Sequence, residues 1–102
     1  MPYTVKFTET FQKWLGSFKP KDRLVRQLIV SRIRNMEDGH FGQVRSLGEG
    51  VSESKIDYGP GYRLYYTIRD LEIVLLLVGG DKRTQDVDIQ KAKRLLKNME
   101  SE

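Results

Sequence analysis

Lys55 and Arg63 are the side chains whose spacing points most directly to chemistry. Residues 62–69 alternate. Tyr62, Leu64, Tyr66 and Ile68 fall on one face and Arg63, Tyr65, Thr67 and Arg69 on the other, the period-2 pattern of a half-buried strand. Residues 51–58 read as a second strand, with Lys55 on the face opposite Ile56. Tyr58-Gly59-Pro60-Gly61 joins the two as a turn in which glycine admits positive φ and proline presets another φ. Ile56 must be buried with Leu64 and Tyr62, because a slip of one residue would send the apolar face into water. That register sets Lys55 beside Arg63. Two cations held together on a sheet cost free energy unless an anion lies between them, so the pattern predicts an anion site. The same spacing also allows Arg63 to pair with Glu53 or Asp57 on the sheet surface.

These strands need a scaffold, and the rest of the chain reads as one. Residues 73–78 are six apolar residues in a row before Gly79-Gly80, too short to span a membrane and suited to a strand covered on both sides. Residues 3–7 alternate and are β-rich, so they add a further strand. Thr8 is a good N-cap, and Phe11, Trp14, Leu15 and Phe18 then recur at helical spacing until Lys19-Pro20 stops the helix. A second helix is predicted over 21–38, with Leu24, Val25, Leu28, Ile29, Ile33 and Met36 as its apolar stripe and Gly39 as its cap. Arg23, Arg26, Arg32 and Arg34 lie off that stripe, as a solvated face or a phosphate-tracking surface. His40 to Gly42 form a loop, 43–47 a short strand, and Gly48-Glu49-Gly50 a bulge or turn. Thr84 caps a last helix with Ile89, Ala92, Leu95, Leu96 and Met99 on one side. The expected class is α+β: an N-terminal strand, a two-helix hairpin packed on one face of a mostly antiparallel twisted sheet, and a C-terminal helix. The opposite sheet face, carrying Lys55, Arg63 and Tyr65, is expected to be more open.

At 102 residues the chain fits a single domain, 1–102. The formal charge of +4 suits a polyanionic partner, and the excess is uneven: nine Lys/Arg against five Asp/Glu in 1–50, nine against nine in 51–102. With no cysteine and one histidine there is no disulfide framework and no metal-ligand spacing, so no metal or cofactor is expected. The first residues lack an apolar signal-peptide core, which predicts a cytoplasmic protein with no membrane association. Gly79-Gly80-Asp81-Lys82-Arg83-Thr84 lacks the Gly-Lys-Ser/Thr ending of a nucleotide loop. Asp86 and Asp88 suit a helix start rather than a metal.

The strings GEGVSESKIDYGPGYRLYY and LLLVGGDKRTQDVDIQKA, with the FxxWLxxF pattern and the arginine-rich second helix, closely resemble the RelE/HigB toxin superfamily of bacterial type II toxin–antitoxin modules, nearest its phage-related addiction-module killer branch. The resemblance spans nearly the whole chain. It implies a compact α+β toxin held inactive by a cognate antitoxin, commonly a helix-turn-helix DNA-binding protein. It also implies a ribosome-dependent endoribonuclease that cuts mRNA in the A site without a metal. In that chemistry the ribose 2′-OH attacks the adjacent phosphate, which needs a base, an acid and positive charge on the phosphorane. By the resemblance Arg63 clamps the phosphate, Lys55 falls near a basic strand position and suits the base, and Lys82 follows the last strand as a second phosphate contact or the acid. Arg83 stands in for Lys82, and Tyr65 could stack a base or donate a proton. The sequence departs from the family's ribonucleases in having only Lys55 on its strand and no tyrosine or histidine near the C-terminus. Tyr65, Tyr58 or His40 would have to substitute. The superfamily also holds ParE-like gyrase poisons, and a third alternative is a non-catalytic protein that only binds an antitoxin.

Overall fold

Thr8 ends the first strand and opens the first helix, and one hydroxyl serves both. β1 (Thr4–Phe7) runs into α1 (Glu9–Gly16), where Thr8 Oγ1 accepts from the Phe11 N–H at 3.1 Å as an N-cap. The same hydroxyl donates to the Leu76 carbonyl at 2.8 Å, and the Thr8 N–H donates to the Leu75 carbonyl at 3.1 Å. The computed structural model describes residues 2–79 and 82–101, with only the backbone of Val78 and Lys82. Helix α1 stops at Gly16, short of the apolar spacing, where Ser17 donates its hydroxyl to the Trp14 carbonyl at 2.6 Å. Phe18 still reaches the core edge-on to Trp14, ring centroids 4.4 Å apart.

A 3-10 turn at Pro20–Asp22 leads into α2 (Arg23–Glu37). Four strands follow in antiparallel succession: β2 (Gln43–Gly48), β3 (Val51–Ile56), β4 (Tyr62–Arg69) and β5 (Glu72–Gly79). β1 adds parallel to β5, giving the order β1-β5-β4-β3-β2. A second 3-10 turn, Lys82–Thr84, opens α3 (Gln85–Glu100). This is the α+β architecture expected from the pattern.

The sheet carries one irregularity with large consequences. Tyr65 pairs with Leu77 but Tyr66 pairs with Leu75, so Leu76 is an extra residue in β5. The bulge changes the alternation. Ile73 and Leu75 join Phe11, Ile29, Ile33, Met36, Ile56, Leu64 and Tyr66 under α1 and α2, whereas Val74, Leu76 and Leu77 join Val51, Tyr65, Ala92 and Leu96 under α3. The unbroken apolar run of β5 is thereby covered on both sides.

That covering corrects one expectation. The second sheet face is not open: α3 lies on it, Tyr65 is fully buried and Arg63 is 6% exposed. Each aliphatic side chain left uncovered would forfeit about 2 kcal/mol, and the Ala92/Leu96 stripe of α3 is the matching surface. Tyr65 therefore offers no free ring on which a base could stack. Leu24 and Ile68, also assigned to apolar faces, are 51% and 41% exposed.

Thr8→Ala should remove the cap and leave the Leu76 carbonyl without its donor, at a combined cost of about 2–3 kcal/mol. Thr8→Ser, which keeps both bonds, should cost far less. Urea unfolding of the two variants checks this.

Candidate active site

Antiparallel pairing brings the start of β2, the end of β3, the start of β4 and the end of β5 to one end of the sheet. The loop before β2, the β3–β4 turn and the 3-10 turn leading into α3 meet the sheet at this end. Two cross-strand rows run over its α3-side face. One is Gln43, Lys55, Arg63 and Gly79; the next is Arg45, Glu53, Tyr65 and Leu77. The predicted juxtaposition of Lys55 with Arg63 is thus present as a direct cross-strand pair.

The side chains of these rows line a crevice of about 360 Å³ formed by Gln43, Val44, Arg45, Glu53, Lys55, Arg63 and Gln85. The anion beside the paired cations comes from the chain itself. Glu53 is 4% exposed, with Oε1 2.7 Å from Arg63 Nε and Oε2 3.0 Å from Arg45 Nη2. Gln85 Nε2 donates to the same carboxylate at 3.2 and 3.4 Å. Although Arg63 Nε lies close to Oε1, its N–H is not aligned on an acceptor, so this contact is an ion pair by distance and not a directed hydrogen bond. Arg63 Nη1 donates to the Gly61 carbonyl at 2.9 Å, fixing the guanidinium from a second side. Three cations against one carboxylate leave the crevice net positive.

Lys55 is held from beneath by a residue the sequence placed on the solvent side. Arg32 reaches from α2 to donate to Ser54 Oγ at 2.7 Å and to the Lys55 carbonyl at 2.8 Å, and Ser54 donates on to the Phe41 carbonyl at 2.6 Å. Gly42 makes room for it: a Cβ there would lie 2.5 Å from Arg32 Nη1, at a φ of +72°. Arg32 belongs to the scaffold of the crevice, not to a solvated helix face.

Across the crevice floor, Gly79 sits opposite Arg63, and a Cβ on it would lie 2.6 Å from Asp88 Oδ2 and 3.0 Å from Tyr65 Cε2. The Tyr65 hydroxyl is buried here without a hydrogen-bond partner among the described residues. Burial, and after it the carboxylates of Glu53 and Asp88, push this phenol far above its ordinary value against opposing pulls from Arg63 and Arg45. Burial raises Tyr66 as well, against a Ser52 hydrogen bond. A phenol whose folded-state value is raised contributes stability that is full below about pH 10 and is lost as pH climbs through the raised value. Stability should therefore fall progressively above about pH 10, and Tyr65→Phe should flatten part of that fall. Because the hydroxyl is buried unpartnered, the same variant should gain about 1 kcal/mol at neutral pH. Urea midpoints at neutral and alkaline pH test both effects.

Of the remaining predicted residues, Arg83 is exposed on the turn before α3, Tyr58 is 41% exposed on the β3–β4 turn, and His40 is exposed on the loop before β2. They flank the crevice at the same end of the sheet without lining it. The Lys82 side chain lies outside the described residues. Arg45, Gln43 and Gln85 were not foreseen. A signal for the first two existed, since folding back about Glu49 sets Arg45 opposite Glu53 and Gln43 opposite Lys55. Nothing local could place Gln85, which arrives with α3.

No established protein-family profile matches the chain. Over 99 residues it is 40% identical to an uncharacterized protein of Haemophilus influenzae, a match covering 97% of this chain and 98% of that one. The two proteins belong to one family. The fold has a solved counterpart in the E. coli toxin RelE, seen in the free state as a double arginine-to-alanine mutant. The likeness has a TM-score of 0.62 at 20% identity and covers 89% of this chain and 97% of RelE. The fold is thus RelE-like. Among the described residues no helix is long and apolar enough to cross a membrane.

Proposed function

We propose that this chain is a single-domain toxin of a type II toxin–antitoxin module, in the phage-related killer branch of the RelE/HigB superfamily. In this reading it is a metal-independent endoribonuclease that cuts mRNA in the ribosomal A site. The observation that carries the proposal is a net-positive crevice, at the converging strand ends of a RelE-like fold, that holds Lys55 against Arg63. A phosphate entering it meets Arg63, Lys55 and Arg45. These can bear the charge that builds on the phosphorane as the 2′-OH attacks, and such stabilisation commonly supplies a large share of an enzyme's rate enhancement. In this reading Lys55, which is half-buried and paired across the strands with Arg63, takes the 2′ proton. The leaving 5′ oxygen is then protonated from the turn before α3, which carries Arg83 at the same end of the sheet. The toxin works in the cytoplasm, with a helix-turn-helix antitoxin as its keeper.

A second reading draws on Arg63 being already ion-paired to Glu53 and on the deep burial of Tyr65, which leaves the crevice poor in free acid–base groups. In it the same fold poisons DNA gyrase, or only binds an antitoxin. Inducing the protein and mapping transcript 5′ ends separates the two. The ribonuclease reading expects new ends at codon boundaries that vanish with Arg63→Ala. Intact transcripts with double-strand DNA breaks would favour the gyrase reading.

A further inference from the structure

Glu53 sits at the heart of a site read as built for phosphate, yet a carboxylate there repels phosphate. Its burial makes the choice costly unless its partners reward it, and they come from three elements: Arg63 on β4, Arg45 on β2 and Gln85 on α3. We propose that Glu53 is a positioning residue. It fixes the orientation of the Arg63 guanidinium, and Gln85 carries that constraint to the first turn of α3. The proposal rests on the ribonuclease reading of the crevice.

The geometry says how. Arg63 is held from two sides, by the ion pair of its Nε with Glu53 Oε1 at 2.7 Å and by the hydrogen bond from Nη1 to the Gly61 carbonyl at 2.9 Å, and together these restrict how far the guanidinium can swing. An arginine free to swing would follow the phosphate of bound substrate and gain as much in the ground state as in the transition state. One held in place favours the geometry that develops during attack, and that difference appears in the chemical step. The two Glu53 oxygens are already engaged by three side chains, so proton transfer falls to other groups. Glu53 acts through Arg63 and not on the substrate.

Two effects of Glu53→Gln run in opposite directions, and this makes the proposal testable. Removing the Glu53 carboxylate makes the crevice more positive, so substrate should bind as well or better. Releasing Arg63 should lower the chemical step. Ribosome-dependent cleavage by the purified variant is expected to show kcat reduced roughly tenfold with KM unchanged or smaller. Wild-type kcat in the folded variant, or a raised KM with kcat held, overturns the proposal. A purely structural role would lower the melting temperature without this split. Gln85→Ala leaves every charge in place and covers the case in which Glu53→Gln does not fold. It should lower kcat roughly threefold at constant KM, and an unchanged kcat counts against the coupling to α3. Should the wild type cut no RNA, the ribonuclease reading fails by itself. The NMR signals of the Arg63 Nη protons then still decide the positioning role: resolved in the wild type and merged in Glu53→Gln if Glu53 holds the guanidinium, alike in both if it does not.

Discussion

Arg63→Ala is expected to lower RNA cleavage by roughly 10²–10³-fold, the loss typical when a preorganised charge-stabilising donor is removed. The same change should destabilise the fold. It strips a buried carboxylate of one cation, which costs about 3–5 kcal/mol where no other partner remains. Here Arg45 and Gln85 keep part of that, so the lower end of the range applies. Arg63→Lys should restore little, because an ammonium cannot engage Glu53, the Gly61 carbonyl and a phosphate together as a planar guanidinium can. Lys55→Ala separates chemistry from folding: Lys55 is half-buried and makes no ion pair among the described residues, so its loss should cut cleavage while leaving the urea midpoint near wild type. Cleavage rates and unfolding curves of the three variants, taken side by side, check the pattern.

Phe11→Ala should have the largest effect on stability, about 3–5 kcal/mol. Phe11 is fully buried, stacked on Phe7 at 5.4 Å and tilted against Trp14 at 5.8 Å, and an alanine there would leave a cavity between α1 and β5. Against a typical total of about 5–15 kcal/mol this would leave the fold marginal, and a Phe11→Leu variant should recover much of the loss. Denaturant titration measures both.

Much of this architecture was legible from spacing. The alternation of 62–69, the two-glycine turn before it and the need to bury Ile56 with Leu64 placed Lys55 opposite Arg63, where the structure has them. The Phe11, Trp14, Leu15 spacing likewise located α1. What spacing missed is long-range. The face thought open is closed by α3, because the bulge at Leu76 turns both Leu76 and Leu77 toward that helix, and a bulge leaves no mark in an unbroken run of leucines. Arg32 looked like one more surface arginine. Only the third dimension shows that its guanidinium passes Gly42 to reach Ser54 and the Lys55 carbonyl. The counter-ion was visible in the sequence as Glu53, but its sharing among Arg63, Arg45 and Gln85 needs strands and a helix that meet only in the fold.

The chemistry of the severed ends bears most directly on the crevice as a site of phosphate attack. Purified protein acting on ribosome-bound mRNA should leave a 2′,3′-cyclic phosphate on one fragment and a 5′-hydroxyl on the other, and a 2′-deoxy nucleotide at the scissile position should block the cut. Fragments bearing a 5′-phosphate, or cleavage that proceeds past the deoxy substitution, would contradict it.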